Sequence, residues 1–366
     1  MYAFEKITQH LRQRIIDREW ISGGRLPSSR ELAGYYNASV NTVEKAIKEL
    51  VTSGLLKRDS RRGTYIDNGV TLEGVKGGSG LVAAFVMGID NPLWSSALRG
   101  IEDVLHTYGL NLLPSSDGQD FDKLEVLVKR AVSKGFEGII MCPIIEQGQI
   151  ENFQRLCNFL LQNDIKIVFL DRYVHELNVP FVTSDNMAGA YKLTNQLIAQ
   201  GHRKILFIRN SNVSTFNERL LGFKQAILDG GMEWSSEYDL FIPTRKENFE
   251  DEKQVFSFNL EAKLKSLDFT AVFTANDQIA EATLLTIERM RKEIPTDISM
   301  VTYDADNLNR RLGLKIAGMN QPFYEMGQLA AKKMLNLIEG KAKNEAYGHI
   351  CKSELRTGTS IAFIPQ

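Results

Sequence analysis

The chain has 366 residues, room for two or three domains, and its 43% hydrophobic and 24% charged residues are the balance of a globular protein rather than a disordered or fibrous one. A formal net charge of -1 hides an asymmetry: residues 1–68 hold twelve Lys and Arg against eight Asp and Glu, a balance of +4, and the remainder carries -5. A small basic head on an acidic body points to an anionic partner for the head alone. The longest apolar run, LVAAFVMGI at 81–89, is far shorter than the ~17 residues of a membrane-spanning helix. Charges throughout the first twenty residues are at odds with a signal peptide. Cys142, Cys157 and Cys351 have no metal-ligand or redox spacing, so free thiols in a reducing cytoplasm are expected.

In the head, Phe4, Ile7, Leu11 and Ile15 recur at helical spacing and predict a first helix ending near Trp20, where SGG at 22–24 breaks it. Next comes LPSSREL at 26–32, in which Ser28 and Glu31 form an S-x-x-E capping box. A second helix starts there and buries Leu32, Ala33 and Tyr36. Ser39 is a natural N-cap for a third helix, whose Val43, Ala46, Ile47 and Leu50 share one face. The alternating stretch GLLKRDSRRGTYI at 54–66, with its basic, Gly-containing tip, reads as a hairpin.

Three helices and a basic hairpin predict a winged helix-turn-helix. The apolar stripe of the third helix packs inward, so Ser39, Asn41 and Thr42 at its start face outward, where a recognition helix meets bases and phosphates. Lys45, Lys48, Arg58, Arg61 and Arg62 are candidates for phosphate or minor-groove contacts. The plainer alternative is that Ser39 only caps and the lysines only solvate a face.

LPSSRELA, SVNTVEKAIKELVTSGLL and RRGTYI, three separate motifs in order, resemble the GntR-type DNA-binding domain over residues 4–66. The resemblance implies that Arg30 contacts a phosphate, that Ser39, Asn41 and Thr42 contact DNA, and that the wing tip around Arg61, Arg62 and Gly63 enters the minor groove. Val40 and Glu44 stand where many members carry Arg, and Glu44 would repel phosphate, so it either faces a cytosine amine or turns away.

Residues 69–80, at the end of the Gly-rich run DNGVTLEGVKGGSG, are expected to be a flexible linker. In residues 81–366 short apolar strands alternate with helices. Strands are predicted at 81–87, 138–142, 166–170, 204–208, 271–275, 298–303 and 315–319, and helices at 94–107, 121–134, 189–200, 218–229, 277–291 and 324–339. Alternation of this kind predicts an α/β fold of parallel sheets flanked by helices, and the length suits two lobes.

Ligands of open α/β sheets sit at the carboxyl ends of strands. Those positions hold Asp90, Asn91 and Trp94, then Cys142-Pro143, Asp171-Arg172, Asn276-Asp277 and Asp304; Arg219 opens a helix and Gln321 sits at a crossover. Carboxylates, amides, arginines and an indole suit a polyhydroxylated ligand: acids and amides bond hydroxyls, Arg bonds in pairs, and Trp stacks on a sugar's C–H face. Asn276, Asp277 and Asp304 are open to simple capping, and for Arg172 a structural ion pair is preferred over ligand contact.

DNPLWSSALRGIED, FLDRYV, VTSDNMAGAYKLTNQLIAQGHRKILFI, ERLLGFKQAI, AVFTANDQIAEATL and DISMVTYDAD resemble the effector domain of the LacI/GalR regulators, itself similar to periplasmic sugar-binding proteins, from residue 81 to about 363. The resemblance implies a two-lobed body in which Asp90, Trp94, Arg219, Asn276, Asp304 and Gln321 line the cleft. A GntR-type head on such a body resembles the arabinose repressors of Bacillus. The domains expected are therefore a winged helix-turn-helix at 1–68, a linker at 69–80 and an effector-binding, dimerising body at 81–366.

The expected function is a homodimeric, cytoplasmic transcription regulator, a repressor of carbohydrate genes that binds a DNA operator under the control of a small sugar, a monosaccharide. The alternative is a cytosolic sugar-binding or sugar-modifying enzyme with an appended DNA-binding head. Against an enzyme, the five histidines have no metal-ligand spacing, and no G-x-S-x-G, H-E-x-x-H or P-loop motif is present. No metal, cofactor or membrane partner is expected.

Overall fold

The computed structural model describes residues 3–16, 24–52, 56–59, 63–66, 79–144, 150–244, 249–341 and 347–365. It divides into two compact units, the first made mostly of residues up to Gly80 and the second mostly of residues from Leu81 onward.

The first unit holds α1 (Ala3–Ile16), α2 (Ser29–Tyr36), α3 (Val40–Thr52), β1 (Leu56–Asp59) and β2 (Gly63–Ile66). The capping box forms as the sequence requires: Glu31 N donates to Ser28 Oγ at 3.3 Å and Ser28 N to Glu31 Oε2 at 2.7 Å. Asn37 ends α2 in the left-handed region, a conformation Asn tolerates better than most residues. Ile7, Leu11 and Ile15 of α1 meet Leu32 and Ala33 of α2 and Val43, Ala46, Ile47 and Leu50 of α3 in one buried core. β1 and β2 pair antiparallel, Leu56 opposite Ile66 and Asp59 opposite Gly63. The stretch expected only to break the chain does more than that. Leu26 N donates to Thr64 O and Ile66 N to Gly24 O, so an isolated antiparallel bridge between Arg25 and Tyr65 ties this stretch to the wing. The expected first-helix residues beyond Ile16, Arg61 and Arg62 of the wing tip, and linker residues 69–78 lie outside the described residues.

The second unit has two lobes. The first begins with β3 (Leu81–Val86), α4 (Pro92–His106), β4 (Asn111–Ser116), α5 (Phe121–Ser133), β5 (Gly138–Met141), α6 (Ile150–Gln162), β6 (Lys166–Leu170) and β7 (Phe181–Ser184). The chain then crosses to the second lobe: α7 (Asn186–Ala199), β8 (Ile205–Arg209), α8 (Ser214–Asp229), β9 (Asp239–Phe241), α9 (Phe249–Leu264), β10 (Ala271–Thr274), α10 (Asp277–Arg289), β11 (Ser299–Tyr303), α11 (Ala305–Leu312) and β12 (Ala317–Asn320). It returns for α12 (Phe323–Ile338) and β13 (Gly348–Cys351), and crosses once more for β14 (Glu354–Arg356). The sheet orders are β13-β7-β6-β5-β3-β4, all parallel, and β14-β12-β11-β10-β8-β9, parallel except for the β12–β14 pair. Each lobe has its own apolar core, one around Phe153 and Phe169, the other around Phe207, Phe223 and Phe273.

All seven predicted strands are interior to these sheets; the four edge strands β4, β9, β13 and β14 and the short β7 were not anticipated. The reason is physical. Interior parallel strands are covered on both faces and read as unbroken apolar runs, whereas edges are short and partly polar. β4, for example, contains Pro114, which an edge accommodates, and none of its six residues is buried. Helices α6, α9 and α11 were likewise not anticipated. Along α9, Phe256, Leu260 and Leu264 are buried while Val255 and Phe258 are 60% and 71% exposed, so its apolar residues form no single stripe.

Candidate functional site

The carboxyl ends of both parallel sheets converge on one cavity of about 630 Å³, within the range of small-molecule sites. The candidates Asp90, Trp94, Asp171, Arg172, Arg219, Asn276, Asp304 and Gln321 all line it, although they lie up to 231 positions apart in sequence. Cys142 and Pro143, also at a strand end, do not line it.

Trp94, early in α4, is 4% exposed and meets Phe323 edge to face at 5.2 Å, so an aromatic corner forms one wall. Arg219 follows one turn into α8. Its Nε donates to Asn186 Oδ1 at 2.9 Å, its Nη1 to Ala275 O at 2.6 Å, and its guanidinium lies 3.8 Å from the Tyr303 ring centroid. Such anchoring fixes the fork of the guanidinium before any ligand arrives, which lowers the ordering cost of binding. Asn276 does cap α10, its Oδ1 accepting from Ile279 N at 3.0 Å. Asp277 accepts from Gln278 N and from Asn307 Nδ2. Asp304, though placed at the start of α11, caps nothing with its side chain; Gln321 Nε2 donates to it instead.

Asp171 and Asp304, at the ends of β6 and β11, both adopt left-handed backbone, with φ 70° and 60°. Non-glycine residues in that region are uncommon and cluster at functional sites. Burial pushes the Asp304 carboxyl up to about 7, with Arg219 opposing the shift. Burial likewise raises Asp171, opposed by Arg172 and Arg219. Among the described residues Asp171 Oδ1 and Arg172 Nε are buried without a hydrogen-bond partner. Arg172 lines the cavity too, and its charge acts on the buried Asp171 and Asp117 carboxyls, although among the described residues it makes no ion pair within 4.0 Å.

Sequence reasoning missed Lys253, Glu281 and Arg311, which line the cavity from α9, α10 and α11. Glu281 bridges the two cations, at 2.6 Å to Lys253 and 2.5 Å to Arg311. They lie within helices, two of which the sequence did not reveal, rather than at strand ends. Asp117, after β4, does not line the cavity; it is fully buried, among the described residues its Oδ2 has no hydrogen-bond partner, and burial pushes its carboxyl up to about 7. Among the described residues no group of three or more His, Cys, Asp or Glu is placed to hold a metal, and no helix is long and apolar enough to cross a membrane.

In the first unit Arg30, Ser39, Asn41 and Lys45 are exposed and Thr42 is half-buried. Ser39 Oγ accepts from Thr42 N at 3.1 Å and shares a hydrogen bond with Thr42 Oγ1 at 2.7 Å, so it does cap α3. Lys45 Nζ sits 3.9 Å from the Phe4 ring centroid. Glu44 turns away from the exposed start of α3: Ser29 Oγ donates to its Oε1, and Arg58 Nη2 lies 2.5 Å from its Oε2. These bonds hold its carboxyl below the usual range. Gly63 has φ +84° and passes under the Arg25 guanidinium, where a Cβ would lie 3.2 Å from Nε; the wing turn therefore favours glycine.

The family model for bacterial regulatory proteins of the gntR family matches residues 3–66, and that for a periplasmic binding protein-like domain matches residues 194–361. An arabinose metabolism transcriptional repressor of Halalkalibacterium halodurans is 26% identical over 350 residues, covering 94% of this chain and 91% of its own. A ribose operon repressor of the same organism is 26% identical over 72% of this chain and 74% of its own. Among solved structures, transcription regulator CcpA of Lactococcus lactis matches 77% of this chain and 98% of its own with TM-score 0.67 and 20% identity. A LacI family transcriptional regulator from Enterococcus faecium with bound ribose matches 78% and 100% with TM-score 0.63 and 24% identity. The chain thus joins a segment matched by the gntR-family model to one matched by the periplasmic binding protein-like model, and it is similar over nearly its whole length to an arabinose metabolism transcriptional repressor.

Proposed function

We propose that this protein is a cytoplasmic transcription repressor of carbohydrate-utilisation genes, not an enzyme, whose head binds a double-stranded DNA operator and whose cavity binds a monosaccharide that changes operator affinity. The observation that carries the reading is the convergence of Asp90, Trp94, Asp171, Arg172, Arg219, Asn276, Asp304 and Gln321 on one interlobe cavity. Arg219 and Arg172 donate to ring or hydroxyl oxygens, Asp304, Asp171 and Asp90 accept from hydroxyls, and Trp94 with Phe323 covers the C–H face. Asn276 keeps its amide nitrogen for the ligand while its oxygen caps α10. A pentose is the favoured ligand, in line with the arabinose and ribose repressors among the relatives. In the head, Arg30, Lys45, Arg61, Arg62 and Gly63 serve the phosphate backbone and minor groove, and Asn41 with Ser39 and Thr42 addresses base edges or nearby phosphates.

The protein acts as a homodimer formed by residues 81–366, since two linked heads raise effective concentration on paired half-sites. A sugar alters DNA binding only through its different affinity for the lobes' arrangements. The test is a thermal-shift titration with L-arabinose, D-ribose and D-glucose, followed by gel shifts on DNA selected from a random pool. A pentose should raise Tm and change the affinity for selected DNA. A protein that selects no DNA, or whose Tm none of these sugars moves, overturns the reading.

A further inference from the structure

We infer that Tyr173 and Glu218 form an interlobe latch joined by hydrogen bonds to the sugar-facing Arg219, so that they position that guanidinium and transmit its occupancy to the crossover between the lobes. The inference rests on the sugar-binding reading above for its ligand, but not for its geometry. Tyr173 belongs to the first lobe: its ring stacks on Phe181 with centroids 4.2 Å apart and planes 10° apart, inside that lobe's core. Both of its polar contacts leave the lobe. Its hydroxyl donates to Glu218 Oε1, and its backbone N donates to Ser214 Oγ at 3.1 Å, both on α8 of the second lobe.

Glu218 continues the chain of bonds. Asn186 Nδ2 donates to Glu218 Oε2 at 3.0 Å, and Asn186 Oδ1 accepts from Arg219 Nε at 2.9 Å. Asn186 is 1% exposed and sits at the crossover itself, its Nδ2 also bonding Ser184 O at 3.0 Å. A ligand that pulls on Arg219 therefore pulls on Asn186, on Glu218 and, through Tyr173, on the other lobe. Hydrogen-bond networks of this kind act together, because the bonds orient and polarise one another. Arg219 and Glu218 are sequence neighbours on one helix, yet one faces the cavity and the other the lobe junction.

The test uses the full chain with Tyr173→Phe, which keeps the stacked ring and removes only the hydroxyl, and Glu218→Gln. Without sugar, hydrogen exchange should quicken several-fold in residues 171–175, 183–187 and 214–219 and stay unchanged in the two lobe cores. Unchanged exchange in those segments, or a uniform rise across a whole lobe, overturns the latch. With L-arabinose or D-ribose followed by tryptophan fluorescence, Tyr173→Phe should bind roughly fivefold more weakly, the factor expected from losing about one net hydrogen bond that orders the Arg219 guanidinium. Equal affinity overturns the coupling to Arg219. A wild-type chain that binds neither pentose counts against the sugar reading instead, and the exchange result still decides the latch.

Discussion

Gln321 Nε2 donates to both carboxylate oxygens of Asp304, at 3.1 and 3.0 Å, while its Oε1 accepts from Ser184 Oγ at 2.7 Å. One amide at the crossover into α12 thus serves an acid at the end of β11 and the crossover out of β7. Gln321→Leu removes the donor and leaves the buried Asp304 carboxyl unpaired. Urea denaturation should show a loss of about 1–3 kcal/mol, and sugar binding should fall with it.

Asp304 and Asp117 give the unliganded protein a specific pH response. Both carboxyls are raised by burial from 3.8 to about 7. A group that holds its proton more tightly when folded contributes most stability below the unfolded pKa, near 4, and loses that contribution as pH rises to about 7. Each group supplies a slope of up to about 1.4 kcal/mol per pH unit in that window. Asp304→Asn and Asp117→Asn should each flatten the pH 4 to 7 stability curve relative to wild type. A variant curve parallel to wild type would show that the group is not raised.

Gly189 faces the Tyr303 hydroxyl so closely that a Cβ would lie 2.0 Å from its oxygen. That hydroxyl donates to Asn186 O at 2.9 Å and Asp185 O at 3.2 Å, tying β11 to the start of α7. Gly189→Ala should cost about 1–3 kcal/mol by overpacking. In the Tyr303→Phe background the same change should cost much less, since the nearest ring carbon is 3.1 Å away. Additive costs in a double-mutant cycle would refute the steric account.

Glu44 neutralises Arg58 beside the start of α3. Glu44→Gln should free that cation for phosphate, raise affinity for random DNA and steepen the salt dependence by about one unit. Fluorescence anisotropy across a salt series reads both. An unchanged slope would place Arg58 away from the DNA.

Asn41 is exposed one residue into α3. Asn41→Ala should relax sequence preference, costing about 1–3 kcal/mol at the base it reads and little on random DNA. Competition binding with single-base variants of a selected site separates the two. An equal loss on all sequences would make Asn41 a phosphate contact instead.

Local chemistry was legible along the chain because it acts over a few residues. Ser28 and Glu31 cap a helix whatever surrounds them, and Val43, Ala46, Ile47 and Leu50 mark a buried face by spacing alone. The apolar runs of β3, β5 and β6 announce strands covered on both sides. The acids and amides that follow such strands could be named because parallel sheets put their carboxyl ends at one edge. None of this needed distant contacts.

Other features arose only from tertiary packing. The edge strands β4, β9, β13 and β14 are defined by a neighbour rather than by their own residues. Lys253, Glu281 and Arg311 meet at the cavity because α9, α10 and α11 bring them there. Glu44 could have faced DNA or turned away, and the proximity of Ser29 and Arg58 decided it. The link from Arg219 through Asn186 and Glu218 to Tyr173 joins residues whose types carry no hint of one another. Periodicity and capping report what a segment buries or bonds within a turn or two, whereas hydrogen bonds between lobes depend on where the fold sets down each side chain.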